Sequence, residues 1–298
     1  MQKISAIITD LDDTLWDWVG LWYACYKPFF DKIAEIRQVP LNCVLDSVQR
    51  LNNKHKTTEY TFILEELDIL SDEKPEEVTI KYSEAIEVFR EARRNNFRLY
   101  EGVEETLAIL KENHCLVVAY TESHEFETKY RLIRSGLERF VDFVYSPADY
   151  ELPRHVDADA FKKNRVNDYT LKHSVLRHTP SGLRKPNPHV LGQILLDLNV
   201  GKEEAVYIGD KLTKDVYMAQ ETGVLDVWAR YGVSHCRELE YGLLKRVTHW
   251  TGDEVKAEQE TTEKDVIPSI ICEKGYSDFL PHITLQSFLG KRQGAKSG

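Results

Sequence analysis

The sequence predicts an α/β protein, a doubly wound parallel-sheet core carrying an inserted all-helical segment. Three observations predict it. Short apolar runs of strand length recur at residues 4–9, 115–120, 140–145, 205–208 and 224–228, nearly without alternation, as in strands buried on both faces. Helical patterns separate the later runs, and such alternation implies parallel strands joined by right-handed crossovers. Between the first two runs, residues 17–98 carry helical patterns and no convincing strand. A chain of 298 residues is long enough for a domain plus an insertion.

The first run closes on Asp10-Leu11-Asp12-Asp13-Thr14. Extended side chains alternate, so Asp10 and Asp12 share one side while Leu11 points back toward the core. Trp18, Trp22, Tyr26, Phe29 and Ile33 then form one helical stripe, in which Pro28 predicts a kink or a restart. Trp16 and Trp18 stand close enough to Asp12 to line a site entrance. Further helices are expected at 41–51, 57–70 and 75–95, the last ending at Asn95-Asn96. This span reads as a lid. Glu101-Gly102 opens a helix to Lys111, and the second strand ends at Thr121-Glu122-Ser123, with Ser123 placed to cap a helix that stops at Ser135-Gly136.

Residues 147–184 are polar and aperiodic, far longer than the roughly 2–6 residues usual between strand and helix. A loop leaving a strand end in an α/β sheet emerges on the ligand face, which places this one over Asp10. Lys185-Pro186-Asn187-Pro188 opens the next helix, the fourth strand ends in Gly209-Asp210, and the helix from Thr213 carries Asp215. Beyond Gly232 the pattern suggests a helix at 237–247, an exposed acidic stretch at 252–265, a late strand at 267–272, a closing helix at 281–289 and a frayed tail at 290–298. The expected domains are a core of 1–16 and 99–298 and a helical cap of 17–98. Within that core, 147–184 is an insertion near the site and 233–298 an extension that completes it.

A formal net charge of -10 disfavours nucleic acid and anionic membrane as partners. No apolar stretch reaches the roughly 18 residues of a membrane helix. Cys25, Cys43, Cys115, Cys236 and Cys272 are odd in number with no CxxC pair, which points to reduced thiols and a cytoplasmic setting. A core strand beginning within four residues of Met1 leaves no room for a signal segment. A small molecule is the expected partner.

The first strand ends in Asp10, the second in Thr121 and the fourth in Asp210, and parallel topology brings these ends into one crevice, which Lys185 reaches from the helix after the third strand. Clustered carboxylates need a cation, and oxygen ligands without His or Cys select Mg²⁺. Asp10 and Asp210 are the direct ligands expected, while Asp215 either binds through water or holds Lys185. With a metal present, Asp10 becomes a usable nucleophile toward phosphorus.

Asp10-x-Asp12-x-Thr14, Thr121 after an apolar strand, Lys185-Pro186, and Gly209-Asp210 followed by Asp215 resemble the four ordered motifs of the haloacid dehalogenase (HAD) superfamily. The resemblance covers residues 1–232, and the insertion between the first two motifs resembles the family's C1 cap. It implies a Mg²⁺-dependent phosphohydrolase acting on a small phosphomonoester through an aspartyl phosphate. In that reading Asp10 attacks and Asp12 carries protons. Thr121 and Lys185 hold phosphoryl oxygens, and Thr14 orders the loop. Mg²⁺ sits on Asp10, the Asp12 backbone carbonyl and Asp210, with Asp215 in support. The superfamily's dehalogenases lack the second aspartate, so Asp12 argues against that activity. A phosphomutase and a weakly catalytic interaction module are the alternatives. The 147–184 excursion departs from the family pattern.

Overall fold

The computed structural model describes residues 1–150 and 169–288. The first apolar run divides into β1 (Gln2–Ile4) and β2 (Ala6–Thr9). At Ser5 the backbone N–H turns to the Glu204 carbonyl at 2.9 Å, and β1 leaves to pair elsewhere. Five further strands extend the sheet to one side or the other of β2: β3 (Leu116–Tyr120), β4 (Phe143–Ser146), β5 (Val175–His178), β6 (Ala205–Gly209) and β7 (Leu225–Ala229). With β8 (Ile270–Cys272) they make a seven-stranded sheet in the order β5-β4-β3-β2-β6-β7-β8, parallel throughout. This is the doubly wound architecture expected from the alternation of strand and helix.

The sheet is covered on both faces, which is why its strands lack polar alternation. Ile7 pairs in register with Val117 and Val206, and these three share an apolar cluster with Val103, Leu107 and Leu110 of α6 (Val103–Glu112). Their neighbours Ile8, Val118 and Tyr207 point the other way, into a cluster with α8 (Pro188–Leu198) and α9 (Tyr217–Thr222); between α6 and α8 in the chain comes α7 (Glu125–Ser135). Chain reversal occurs at β2, whose two neighbours β3 and β6 are wound in opposite directions. That makes its carboxyl end the topological switch point, where ligands bind in such sheets.

The insertion is helical: α1 (Trp18–Arg37), α2 (Leu41–His55), α3 (Ile63–Glu66), α4 (Pro75–Lys81) and α5 (Ser83–Asn95). Pro28 lies inside α1 without ending it, because Trp22, Tyr26, Phe29 and Ile33 pack on one cluster from both sides of the proline. The expected helix at 57–70 shrinks to α3 and one 3-10 turn, and the 75–95 helix breaks at Tyr82. The chain leaves the core and returns to it side by side: Asp17 N–H donates to the Arg98 carbonyl at 3.0 Å, and Tyr100 N–H to the Leu15 carbonyl at 3.0 Å.

Three readings from sequence change. The excursion at 147–184 contains β5, a sheet strand, while residues 151–168 lie outside those described. The closing helix expected at 281–289 is instead a 3-10 segment followed by β9 (Ile283–Leu285), which pairs with β1; the expected tail at 290–298 lies outside the described residues. The stretch read as completing the core divides. β8 joins the sheet, and α11 (Gly252–Glu260), capped by Thr251 and Glu254, covers the exposed acidic segment. By contrast α10 (Glu238–Val247) places Tyr241, Leu244 and Val247 in the insertion's apolar cluster. Asn52 of α2 fixes it there with a 2.8 Å bond to the Val247 carbonyl.

Candidate active site

The carboxyl ends of β2, β3 and β6 deliver Asp10, Thr121 and Asp210 to one cavity of about 520 Å³. Lys185, Asp215 and Asp12 line the same space. Six of the seven residues singled out from sequence therefore converge. Thr14, the seventh, is buried behind the loop and its hydroxyl has no hydrogen-bond partner among the described residues. Its backbone does the ordering instead: the Thr14 carbonyl accepts from the Tyr231 hydroxyl at 2.7 Å. Next to Tyr231, a side chain on Gly232 would begin 1.7 Å from the Asp13 carbonyl oxygen, so only glycine lets this segment press against the loop.

Lys185 joins the two ends of the carboxylate cluster. Its Nζ donates to Asp10 Oδ1 at 2.7 Å and to Asp215 Oδ1 at 3.0 Å. Asp215 is fully engaged: Oδ1 also accepts from the Tyr207 hydroxyl at 3.0 Å, and Oδ2 from the Lys211 N–H at 3.1 Å. Of the two roles left open for Asp215, holding Lys185 is the one its contacts display. Gly209 makes room for this, since a Cβ there would fall 2.3 Å from the Asp215 carboxyl carbon.

Asp210 is different. Its Oδ1 is buried and has no partner among the described residues, a costly state for a carboxylate unless something cationic comes to it. Oxygens of Asp10, Asp210 and Asp215 all lie within 4.8 Å of one another. Burial pushes the Asp10 carboxyl up to about 7, with Lys185 opposing the rise and Asp215 adding to it. The same desolvation drives Asp210 well above the usual carboxylate range and Asp13 up to about 8. An all-oxygen donor set carrying a buried orphan oxygen suits a hard divalent cation.

Asp12 turns away from this cluster. Trp16 Nε1 donates to its Oδ1 at 2.6 Å and the Ser123 hydroxyl to its Oδ2 at 2.5 Å. Arg131 Nη1 reaches both oxygens, at 3.1 and 3.2 Å. Ser123 is thus a partner of Asp12 rather than a helix cap; α7 starts after His124, which gives no side-chain cap, and Asp149 Oδ1 accepts the first-turn Phe126 N–H at 2.8 Å instead. Arg131 was not signalled by any motif. It sits on the buried face of α7, three residues after the buried Thr128, and with Glu127 and Arg134 one turn to either side no pattern in the helix singled it out. Thr121 Oγ1 accepts from the Ser123 N–H at 3.0 Å, which leaves its hydroxyl proton to be offered elsewhere.

The roof comes from three segments: His55 to Glu59 of the insertion, Thr179 to Arg184 before the lysine, and His249 with Trp250 after α10. Arg184 ties them together by bonding the Lys56 carbonyl and, at 2.8 Å, His249 Nε2. Lys211 and Lys214 are not plain surface charges: they line the cavity, paired with Glu258 at 2.6 Å and Glu122 at 2.7 Å.

Among the described residues no helix is long and apolar enough to cross a membrane. The chain is 23% identical over 246 residues to a glyceraldehyde 3-phosphate phosphatase of Pyrococcus furiosus, an alignment covering 81% of this chain and 87% of that one. In fold it resembles the crystal structure of a predicted phosphoglycolate phosphatase from Haemophilus somnus, with a TM-score of 0.50 and 15% identity over 94% of this chain and 97% of that one. A family model described as haloacid dehalogenase-like hydrolase matches residues 4–223. With that match spanning most of its length, the chain belongs to the haloacid dehalogenase-like hydrolases.

Proposed function

We propose that this hydrolase is a Mg²⁺-dependent phosphatase that cleaves a small phosphomonoester through an aspartyl phosphate on Asp10. The observation that carries the reading is the cluster of buried Asp10, Asp210 and Lys185 side chains at one cavity, with an Asp210 oxygen left unpaired among the described residues. Asp10, Asp210 and the Asp12 backbone carbonyl would hold the ion, and Asp215 would keep Lys185 in place. When bound, Mg²⁺ supplies positive charge that offsets the phosphoryl oxygens' repulsion of an attacking carboxylate.

The chain's own groups do the rest. An Asp10 oxygen forms a bond to phosphorus as the bond to the leaving oxygen breaks, and Asp12 gives that oxygen its proton. Asp12 then takes a proton from water, whose oxygen attacks phosphorus and frees Asp10 and inorganic phosphate. Thr121 donates its hydroxyl proton to a phosphoryl oxygen, and Lys185 adds a second donor. The roof segments exclude bulk water and limit substrates to small molecules. The relative's name makes glyceraldehyde 3-phosphate a first compound to assay, beside sugar phosphates and nucleoside monophosphates.

The test is phosphate release from such a panel with Mg²⁺ and with chelator, for wild type and Asp10→Asn. Release by the wild type that needs Mg²⁺ and vanishes in Asp10→Asn is expected. Release that survives Asp10→Asn unchanged would overturn the assignment of the nucleophile, and transfer to a second hydroxyl without free phosphate would favour a mutase.

A further inference from the structure

Asp12 is gripped from the core and, through one side chain, from the insertion. Arg131 is 2% exposed. Its Nη1 holds both Asp12 oxygens and also lies 3.1 Å from the Ser123 hydroxyl oxygen. Its Nη2 donates to Glu59, which belongs to the insertion between α2 and α3. Glu127, one turn earlier on α7, stands 3.7 Å from Nη2. A second insertion residue, Arg93 of α5, meets Glu127 at 3.7 Å and lies 4.0 Å over the Tyr130 ring.

Burying this much charge is a poor way to gain stability, because desolvation offsets most of the attraction. What a guanidinium supplies is geometry: a planar fork whose two ends hold two carboxylates at a fixed angle. Lysine, with a point charge on a flexible stem, cannot do this. Here one end of the fork holds a core carboxylate and the other an insertion carboxylate.

Resting on the phosphatase reading above, we propose that Arg131 is a positioning residue for Asp12, and that Glu59 is the contact by which the seated insertion fixes it. Lifting the insertion removes Glu59 from Arg131 and frees the guanidinium to rotate. Asp12 then keeps its Trp16 and Ser123 bonds but loses the fixed guanidinium across both its oxygens, so that proton delivery to the leaving oxygen is fastest in the closed arrangement.

The readout is leaving-group dependence, which a merely structural defect would not alter. An alkyl phosphomonoester needs its leaving oxygen protonated, whereas p-nitrophenyl phosphate releases a stable phenolate without help. In pre-steady-state assays with Mg²⁺, Arg131→Lys and Glu59→Ala should slow phosphoryl transfer from glycerol phosphate on the order of 100-fold, within the range of general acid catalysis. The p-nitrophenol burst should slow less than about threefold, because acid catalysis contributes little there. Glu59→Gln keeps an acceptor for Nη2 and should recover most of the loss. Asp12→Asn is the reference and should show the same selectivity.

Variants slowed equally on both substrates, or on neither, would overturn the inference while leaving the phosphatase reading intact. A wild type that releases phosphate from neither substrate would overturn that reading and this inference with it. Should Arg131→Lys fail to fold, the Glu59 pair decides alone, since Glu59 is not a buried core residue.

Discussion

In the presence of chelator, Asp10→Asn should raise stability while abolishing turnover. Burial lifts the Asp10 carboxyl from 3.8 to about 7, against the pull of Lys185. Between those values the folded state holds a proton that the unfolded state has released, so stability falls as pH rises through the interval. Each pH unit inside it costs about 1.4 kcal/mol, giving about 2 kcal/mol at about pH 5 and about 4 kcal/mol at about pH 8, where ionisation is complete. Asparagine has nearly the neutral carboxyl's shape and no charge to bury. For a chain of this size about 2 °C accompanies each kcal/mol, so the variant's melting midpoint should exceed the wild type's by about 8 °C near pH 8 and by about half that near pH 5. Thermal unfolding of both proteins in EDTA at the two pH values measures this. Adding Mg²⁺ should lift the wild type near pH 8 and narrow the gap, since in the proposed function the cation binds only the folded carboxylates. A gap independent of pH, or a wild type more stable than the variant near pH 8 in chelator, would refute the claim that Asp10 is a desolvated charge.

Two further outcomes concern the roof. Leu244 of α10 is fully buried in the insertion's cluster, so Leu244→Ala should destabilise by roughly 2–5 kcal/mol, read from urea midpoints; a loss under about 1 kcal/mol would mean that α10 only rests on the insertion. His249 is lowered to about 4 by burial and by the nearby Arg184. Its folded state binds fewer protons than the unfolded state between about 4 and the ordinary value of 6.5, so stability rises with pH across that window and is lost on acidification. His249→Gln should flatten that part of the stability curve, and an unchanged slope would show that the imidazole is not held neutral.

What could be read from the sequence depended on how locally each feature is encoded. The sheet was legible because a strand covered on both faces, such as Val117 to Ala119, must be apolar at every position. Asp10, Thr121 and Asp210 followed, since parallel topology fixes where strand ends meet. Arg131 was not legible. Its partners Asp12 and Glu59 lie 119 and 72 residues away, and nothing in the α7 sequence marks the charge as buried. β5 was missed for a related reason: an edge strand reading Val-Leu-Arg-His is exposed at both ends and has neither an alternating nor a continuous apolar pattern. β9 was mistaken for helix because three residues, Ile283 to Leu285, carry too little periodicity to tell strand from helix.

The placement of α10 alters what the roof is. By chain connectivity it follows the last central strand of the core, yet its apolar face is buried with the insertion, and Arg237 just before it holds Asp17 at 2.5 Å on the outgoing linker. An insertion that swung on its two paired linkers alone would strip Tyr241, Leu244 and Val247 from their cluster. Exposing each would cost roughly 1.5–3 kcal/mol, more in total than the weak contacts that such motion ordinarily breaks. Carrying α10 along keeps that apolar cluster together and shifts the change to the segments flanking it, 233–237 and 248–251, where Val233 packs on Trp228 and Trp250 lies under Lys211. Because His249 and Trp250 line the cavity from the second of those segments, movement of the insertion necessarily reshapes the roof on the far side of the site. The roof is therefore the junction of the insertion with the C-terminal segment, where Arg184 bonds both the Lys56 carbonyl and His249, and not the insertion by itself.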